Sequence, residues 1–476
     1  MKSGFDAFEA VIGLEVHAQL LTRTKLFCGC PASFGNEPNT NVCPVCLGLP
    51  GSLPALNREA AGKAVLLGLA LDCSISRRSV FARKNYFYPD CPKNYQISMY
   101  EKPICSGGVF RLGEEGKTIG IERIHLEEDA GKLIHGDGGS SLVDFNRCGV
   151  PLLEIVTRPD LRSGRDAAEF LSGLRRLMRY LGICDGNMEE GSIRCDVNVS
   201  IRERGSSSLG TRTEIKNLNS MKAVEAGIEF EIERQAKLIS SGGVVSQVTS
   251  CWDAGMRRLV PMRSKEEEQD YRYFPEPDLP PLLIDDMTIC KAVLRLQELP
   301  DPRRRRFQEE YGLSPYDSAV LTAEKGVADY FEKAATVSRN PKTICNWVMR
   351  EVLGEMKRTG IPAERFPVLP ESLARLVELV EEGAVSGRAA TEVFLEMSAT
   401  GCTAEEGIKR LGLEQISSPE TLAQYVDAVV LENPDVVERY RKGEIKLLAF
   451  LVGEVMKKSE GRADPRAAGE MLAARL

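Results

Sequence analysis

The chain has 476 residues, enough for roughly three domains at about 150 residues each. Hydrophobic residues make up 43% and charged residues 28%, a globular balance that excludes a disordered chain, a collagen-like fibre and a disulfide-stapled miniprotein. Its 62 Lys and Arg stand against 69 Asp and Glu, for a net charge of −7, so it is not a uniformly basic coat for nucleic acid, although a local basic surface stays open.

Met1-Lys2-Ser3-Gly4-Phe5-Asp6 lacks the apolar core of a signal segment, and no apolar run approaches the ~20 residues that cross a bilayer. A cytoplasmic protein with no membrane contact is expected, in which scattered cysteines such as Cys73, Cys195 and Cys345 act as small buried hydrophobes. Residues 11–20 alternate, with Ile12, Leu14, Val16, Ala18 and Leu20 on one side and Glu15, His17 and Gln19 on the other. That is a half-buried strand whose polar face carries a carboxylate beside an imidazole. Cys28-Gly29-Cys30 and Cys43-Pro44-Val45-Cys46 follow, two short-spaced pairs that match a tetrahedral structural zinc site. Four such ligands leave no open position, so the expected role is loop stapling, with Gly48 letting the backbone approach the sulfurs.

Residues 60–71 read as a helix. Arg83-Lys84-Asn85-Tyr86-Phe87-Tyr88-Pro89-Asp90 and Lys93-Asn94-Tyr95-Gln96 interleave cations with rings, which suits gripping phosphates and stacking on a base, or an ordinary strand and loop. Gly116-Lys117-Thr118 resembles the end of a P-loop, but Arg111 stands where the first glycine is required. Any use of ATP would therefore take place on an open sheet lined with carboxylates. His125-Leu126-Glu127-Glu128-Asp129 packs three carboxylates beside a histidine, and Glu154 sits alone inside the apolar run 150–156. A buried carboxylate is costly unless paired, so Glu154 either meets an arginine, Arg147 or Arg158, or helps to hold a metal.

Residues 166–181 carry a helical stripe of Phe170, Leu171, Leu174, Leu177, Met178 and Leu181, closed by Gly182. Residues 192–202 repeat the strand alternation, with Arg194, Asp196 and Asn198 on the polar side, and a further helix runs from Met221 to about Ile239. If these strands converge, Glu15, His17, Glu128, Glu154 and Asp196 supply hard oxygen donors and one imidazole, a set better suited to Mg2+ or Mn2+ than to Zn2+. The Pro-rich segment 274–281 ends the first domain or wraps along it. Beyond residue 301 the pattern is helical, opened by Arg303-Arg304-Arg305-Arg306 as a solvated helix start, and it changes again near Gly401. These breaks give an α+β domain over 1–294 and helical domains over 295–404 and 405–476. Within 439–466, eight cations face four acids, a local surplus suited to a polyanion.

Six segments in order resemble the GatB family, a subunit of the bacterial aspartyl/glutamyl-tRNA amidotransferases. They are Val11-Ile12-Gly13-Leu14-Glu15-Val16-His17, the Arg83–Asp90 stretch above, and His125-Leu126-Glu127-Glu128-Asp129-Ala130-Gly131-Lys132. Met188-Glu189-Glu190-Gly191-Ser192-Ile193-Arg194-Cys195-Asp196, Lys216-Asn217-Leu218-Asn219-Ser220 and Asp270-Tyr271-Arg272-Tyr273-Phe274-Pro275-Glu276-Pro277-Asp278 complete the set. The chain is too short for the inserted domain of the archaeal relative, which points to the three-subunit type. The resemblance implies a mixed or antiparallel cradle domain similar to the glutamine synthetase fold, then a helical domain and a helical tail that contacts tRNA. It implies an ATP-dependent carbon–nitrogen ligase acting on mischarged Glu-tRNA(Gln), Asp-tRNA(Asn) or both. The side-chain carboxylate is phosphorylated, and ammonia made from glutamine by an amidase partner subunit displaces the phosphate, with a small third subunit linking the two. Carried over by motif, Glu15, His17, Glu128 and Glu154 would hold Mg2+, and Lys84 would bind the nucleotide and neutralise phosphate charge. Glu190 and Asp196 would line the pocket and guide ammonia, and Cys28, Cys30, Cys43 and Cys46 would hold structural Zn2+. No Gly/Ser-rich amidase signature is present in the chain itself. The alternative is a non-catalytic tRNA-docking adaptor whose acidic sheet is only structural.

Overall fold

The alternation at residues 11–20 forms β1, Phe8–Gln19, and its apolar side is fully covered: Ile12, Leu14, Val16 and Ala18 are at most 1% exposed. The computed structural model describes residues 7–113, 116–135, 140–264, 270–413, 418–459 and 462–476, and divides into two units, Met1–Leu299 and Pro300–Leu476. In the first unit β1 is central to a sheet with β2 (Lys117–Glu128), β3 (Pro151–Thr157), β4 (Ile193–Glu203) and β5 (Thr213–Lys216). The order across the middle is β5-β4-β1-β3-β2, and further strands extend both edges to ten among the described residues. The pairings within that middle are antiparallel, while β5 pairs in parallel with Val248–Asp253, so the sheet is mixed. An α+β domain with a large mixed sheet is thus what the sequence pattern forms.

Three helices cover one face. They are α1 (Arg58–Ala70), α2 (Gly164–Tyr180) and α3 (Met221–Ser240), and each starts on a side-chain cap, from Asn57, Ser163 and Ser220. Phe170, Leu171 and Leu174 of α2, Leu67 of α1 and Ile228 of α3 join Leu14, Val16, Leu126, Ile155 and Val197 in one core. Gly182 adopts φ +64° just past α2 and its N–H reaches the Arg179 carbonyl at 3.0 Å, the left-handed ending that a glycine permits. Because the helices take only one face, the polar side chains of β1, β2, β3 and β4 collect on the other.

The Pro-rich segment wraps: Phe274–Pro275 pairs with Ala82–Asn85, and Leu282–Leu283 pairs with Arg78–Ser79. Lys117 begins β2 rather than a helix, which removes the P-loop resemblance.

The second unit is helical and holds two separate apolar cores, one around Phe307, Phe331, Leu373 and Phe394 and one around Leu422, Val426, Leu451 and Leu472. Arg303 is not a solvated helix start. It is buried, donating to Asp329 and Glu332 at 2.6 Å each, because its turn of helix Pro300–Tyr311 faces helix Lys325–Val337. In the tail, Arg439, Lys442, Lys458 and Arg466 pair with Glu444, Glu438, Glu432 and Glu470. Three of those acids, Glu438, Glu432 and Glu470, lie outside the window 439–466, so the local cationic surplus is smaller than the sequence count. No described helix is long and apolar enough to cross a membrane.

Candidate functional site

Strand register builds the site. Arg194 of β4 lies opposite His17 of β1, His17 opposite Glu154 of β3, and Glu154 opposite His125 of β2. Directly opposed residues share a face, so one transverse row reads Arg194–His17–Glu154–His125. The next row sets Asp196 opposite Glu15, and Glu127 lies two residues past His125 on the same face.

His17 Nε2 stands 3.7 Å from Glu15, 3.6 Å from Glu127 and 3.5 Å from Glu154. His125 Nε2 stands 3.7 Å from Glu127 and 3.3 Å from Glu154. Most of these spacings exceed ordinary hydrogen bonds. They match instead the ~3–4 Å between ligands held on one ion at ~2.1 Å. Glu15, His17 and Glu154 form one group of converging donors, and His125, Glu127 and Glu154 a second, so Glu154 belongs to both. The residues present therefore fit a divalent cation, with a second imidazole beyond the one read from sequence.

The electrostatics agree with an acidic nest. Burial works against a charged His125, but Glu154 and Glu127 outweigh it and lift its pKa to about 9. His17 is raised the same way, against burial, by Glu154, Glu127 and Glu15. Burial and the neighbouring Glu154 push the Glu15 carboxyl up, whereas the two imidazoles hold Glu154 far below the usual carboxylate range against its burial. Neither arginine proposed for Glu154 takes it: Arg147 pairs with Asp129 at 3.6 Å and Arg158 with Glu122 at 3.1 Å. An arginine does reach Glu154, but it is Arg123 of β2, at 3.7 Å, beside the two imidazoles.

Above the row lies a cavity of about 420 Å³, lined among others by His17, Lys84, Glu127, Arg194, Asp196 and Lys216. Lys84 sits 4.9 Å over the Tyr271 ring; burial opposes its charge, but Glu127 and other facing groups raise its pKa and keep it an ammonium. Arg194 is held by Asp129 at 2.8 Å, and Asp129 also accepts from Gln19 at 2.8 Å.

Apart from this row, the sulfurs of Cys28, Cys30, Cys43 and Cys46 lie within 4.8 Å of one another, with Cys43 and Cys46 3.9 Å apart. Four sulfurs ~2.3 Å from one tetrahedral ion would be ~3.8 Å apart, so this set fits zinc. Cys28 shares a hydrogen bond with Cys46, which holds the Cys46 thiol down at about 5. The fully buried Lys25 ammonium helps, 3.7 Å from Cys46 Sγ and 2.6 Å from the Asn41 carbonyl.

Comparison with known proteins adds a second line. The GatB/GatE catalytic domain matches residues 10–290 and the GatB domain matches 329–476. The GatB subunit of the aspartyl/glutamyl-tRNA(Asn/Gln) amidotransferase of Thermodesulfovibrio yellowstonii is 51% identical over 467 residues, covering 98% of both chains. Those of Chlorobium limicola and Carboxydothermus hydrogenoformans are 50% and 48% identical over 471 and 475 residues, each covering 98% of this chain and 99% of theirs.

The chain belongs to the GatB family of amidotransferase subunits.

As a GatB member it is an enzyme subunit of the amidotransferase type. Of the family-motif residues singled out in the sequence, Glu15, His17, Glu154 and Asp196 are brought onto one face of the sheet, and Lys84, from a separate small sheet, lines the cavity over it. Asp196 there pairs with Lys216. Glu128 is not among them. It ends β2 on the other face, pairs with buried Lys93 and accepts from the Ile97 N–H at 2.8 Å. Its neighbour Glu127 faces the two imidazoles instead, 3.6 Å from His17 and 3.7 Å from His125. Glu190 lies exposed in the turn before β4, its N–H turned to the Asn187 side chain, and does not line the cavity. The Gly48 N–H donates to the Val45 carbonyl at 3.1 Å, and at φ +67° a Cβ there would stand 2.4 Å from Lys93 Cγ, so it is the close approach of Lys93 that disfavours a side chain. Sequence reasoning misses His125, Glu127 and Lys25 as site residues. For Glu127 a usable signal exists, the two-residue spacing from His125; for Lys25 none does.

Proposed function

We propose that this face transfers the terminal phosphoryl group of ATP to the side-chain carboxylate of Glu or Asp esterified to tRNA, and that ammonia then amidates the product. The observation that carries the reading is the row Arg194–His17–Glu154–His125 with Glu15 and Glu127 beside it. Glu15, His17, Glu154, His125 and Glu127 would hold Mg2+. When bound, that ion neutralises charge on the phosphate oxygens.

A carboxylate oxygen attacks the γ-phosphorus and ADP leaves. Lys84, kept cationic by the acids around it, supplies fixed positive charge to the transferring group without reorganisation. Arg194, clamped by Asp129, presents a second cation to the same cavity and suits the substrate carboxylate. Ammonia attacks the acyl carbon and phosphate departs. Asp196 lines the cavity where that nitrogen must arrive, whereas Glu190 stands outside it. The ammonia comes from an amidase partner subunit, joined by a small third subunit, in the cytoplasm. The zinc staples residues 24–57, and the domain's cradle role parallels that of glutamine synthetase. The helical tail, with a core of its own, carries the tRNA body.

In the assembled complex with Glu-tRNA, ATP and Mg2+, Glu154→Ala should lower ADP formation by ~10²–10³-fold while tRNA affinity is kept. Removing residues 418–476 should weaken tRNA binding and flatten its salt dependence. Normal ADP release by Glu154→Ala refutes the site and leaves the docking adaptor.

A further inference from the structure

Beside Lys84 a ladder of tyrosines runs outward from the acidic nest. Lys84 caps the Tyr271 face; Tyr271 meets Tyr273 edge-on, with centroids 6.0 Å apart at 68°. Tyr273 stacks in parallel on Tyr100, with centroids 4.3 Å apart and planes 9° from each other. The inner end, Tyr271, lies under Lys84, which lines the cavity over the nest. The outer end faces solvent, with Tyr100 58% exposed. Tyr273 covers one face of Tyr100, so that exposure belongs to the other face and the ring edge.

The ladder is held from behind. Asn85 donates from its backbone to the Tyr271 carbonyl at 2.9 Å and from its side chain to the Arg272 carbonyl at 2.8 Å. Arg272, between the two rings, takes φ +44°, a region a non-glycine residue seldom occupies. Arg83 grips Glu276 with two hydrogen bonds of 2.8 Å, fixing Phe274–Pro275 against Ala82–Asn85. The cation–aromatic interleaving read in the sequence therefore divides its labour. Arg83 holds the segment in place, Lys84 points to the site, and the rings of the later segment stack outward.

A parallel, half-open stack, joined through Tyr271 to a lysine that lines the cavity, has the chemistry of a site for a flat base joined to phosphate or to a ribose ester. We propose that Tyr100, backed by Tyr273, is the stacking surface for an adenine ring whose reacting end reaches the acidic nest past Lys84. The reactants proposed above offer that ring twice, in ATP and in the 3′-terminal adenosine that carries the amino acid. The inference rests on that reading for its ligand and on the tyrosine geometry for its place.

The test uses the assembled complex with Tyr100→Ala and Tyr100→Phe, and two fluorescent probes: 1,N6-etheno-ATP with Mg2+, and tRNA carrying 2-aminopurine at its 3′ end. Stacking quenches both fluorophores. The wild type and Tyr100→Phe should quench one probe equally. Tyr100→Ala should lose that quench, bind that probe ~5- to 100-fold more weakly and raise KM for the corresponding substrate alone. Loss confined to etheno-ATP assigns the nucleotide base, and loss confined to the 2-aminopurine tRNA assigns the terminal adenosine. Unchanged quenching and affinity for both in Tyr100→Ala overturns the proposal, as does equal loss in Tyr100→Phe, which would implicate the hydroxyl rather than the ring. The binding arms need no turnover. Loss of base binding in Tyr100→Ala beside normal ADP formation in Glu154→Ala would sink the phosphoryl-transfer site and leave the platform standing.

Discussion

Exchanging Glu128 for Gln should cost stability, whereas exchanging its neighbour Glu127 for Gln should cost metal affinity and turnover. Both side chains are nearly inaccessible, at 4% and 3%, so exposure does not separate them; the strand's alternation does. Glu128→Gln strands Lys93, itself 7% exposed, without its counter-charge. Breaking one side of a buried pair costs ~3–5 kcal/mol. At about 2 °C per kcal/mol for a domain of this size, the melting temperature should fall by roughly 6–10 °C. Glu127→Gln keeps the shape and removes one oxygen ligand; it gives up the bond to His125 and the attraction of His17 and Lys84 while ending repulsion with Glu154, so metal affinity, not melting, is what sets it apart. Its Mn2+ affinity should fall by on the order of 10²-fold, and ADP formation should fall with it. Calorimetric melting in chelator, Mn2+ titration of the chain and ADP release by the complex read the three quantities. If Glu128→Gln loses metal affinity while Glu127→Gln retains it, the face assignment is wrong.

Lys25→Met should loosen the zinc proposed for the four cysteines, since an ammonium touching the Cys46 sulfur is lost from a fully buried position; chelator competition should show ~10- to 100-fold weaker retention, and unchanged retention would remove Lys25 from the proposed site. The Arg303 cluster sets an acid-side dependence for the helical unit. Burial opposes ionisation of Asp329 and Glu332, but their bonds to Lys325, Arg303 and Arg306 win and depress both pKa values. Depressed carboxylates stabilise fully above their unfolded values near ~4 and lose that contribution as pH falls through the folded ones. Arg303→Met, discounted for its part-exposed acids, should cost ~1–3 kcal/mol at pH 7 and less at pH 2. Denaturant melts giving the same loss at both pH values would contradict the pairing.

The polar faces of β1 and β4 are legible because alternation needs only local sequence, and their apolar sides are buried as the pattern requires. Which acids join them is a question of parity. His125 and Glu127 share a face because they are two apart, so the histidine already points to Glu127. Choosing Glu128 ignores that period. Glu190 is carried over with Asp196 from one family motif, but it precedes β4, in a turn where no alternation holds. Lys25 stands alone before Leu26 and Phe27, and only the folded cysteine loop gives its ammonium a partner. The Tyr100–Tyr273 stack joins segments far apart in sequence, which local pattern cannot relate.

What the sheet adds to these residues is registration. The row Arg194–His17–Glu154–His125 depends on three antiparallel pairings holding the same phase. A one-residue slip in any of them would turn its strand's donors into the helix-covered core and bring an apolar residue such as Ile155 into the nest. The register shift between β2 and β3 falls after Val156, past the donors, so pairing is regular from Pro151 through Glu154. The apolar faces of the same strands enforce that phase, since Ile155, Leu153 and Leu126 are fully buried beneath the helices. Acids that repel one another are thus held together by burial on the reverse side of the strands that carry them. Weakening that reverse face should therefore scatter the donors before it unfolds the domain.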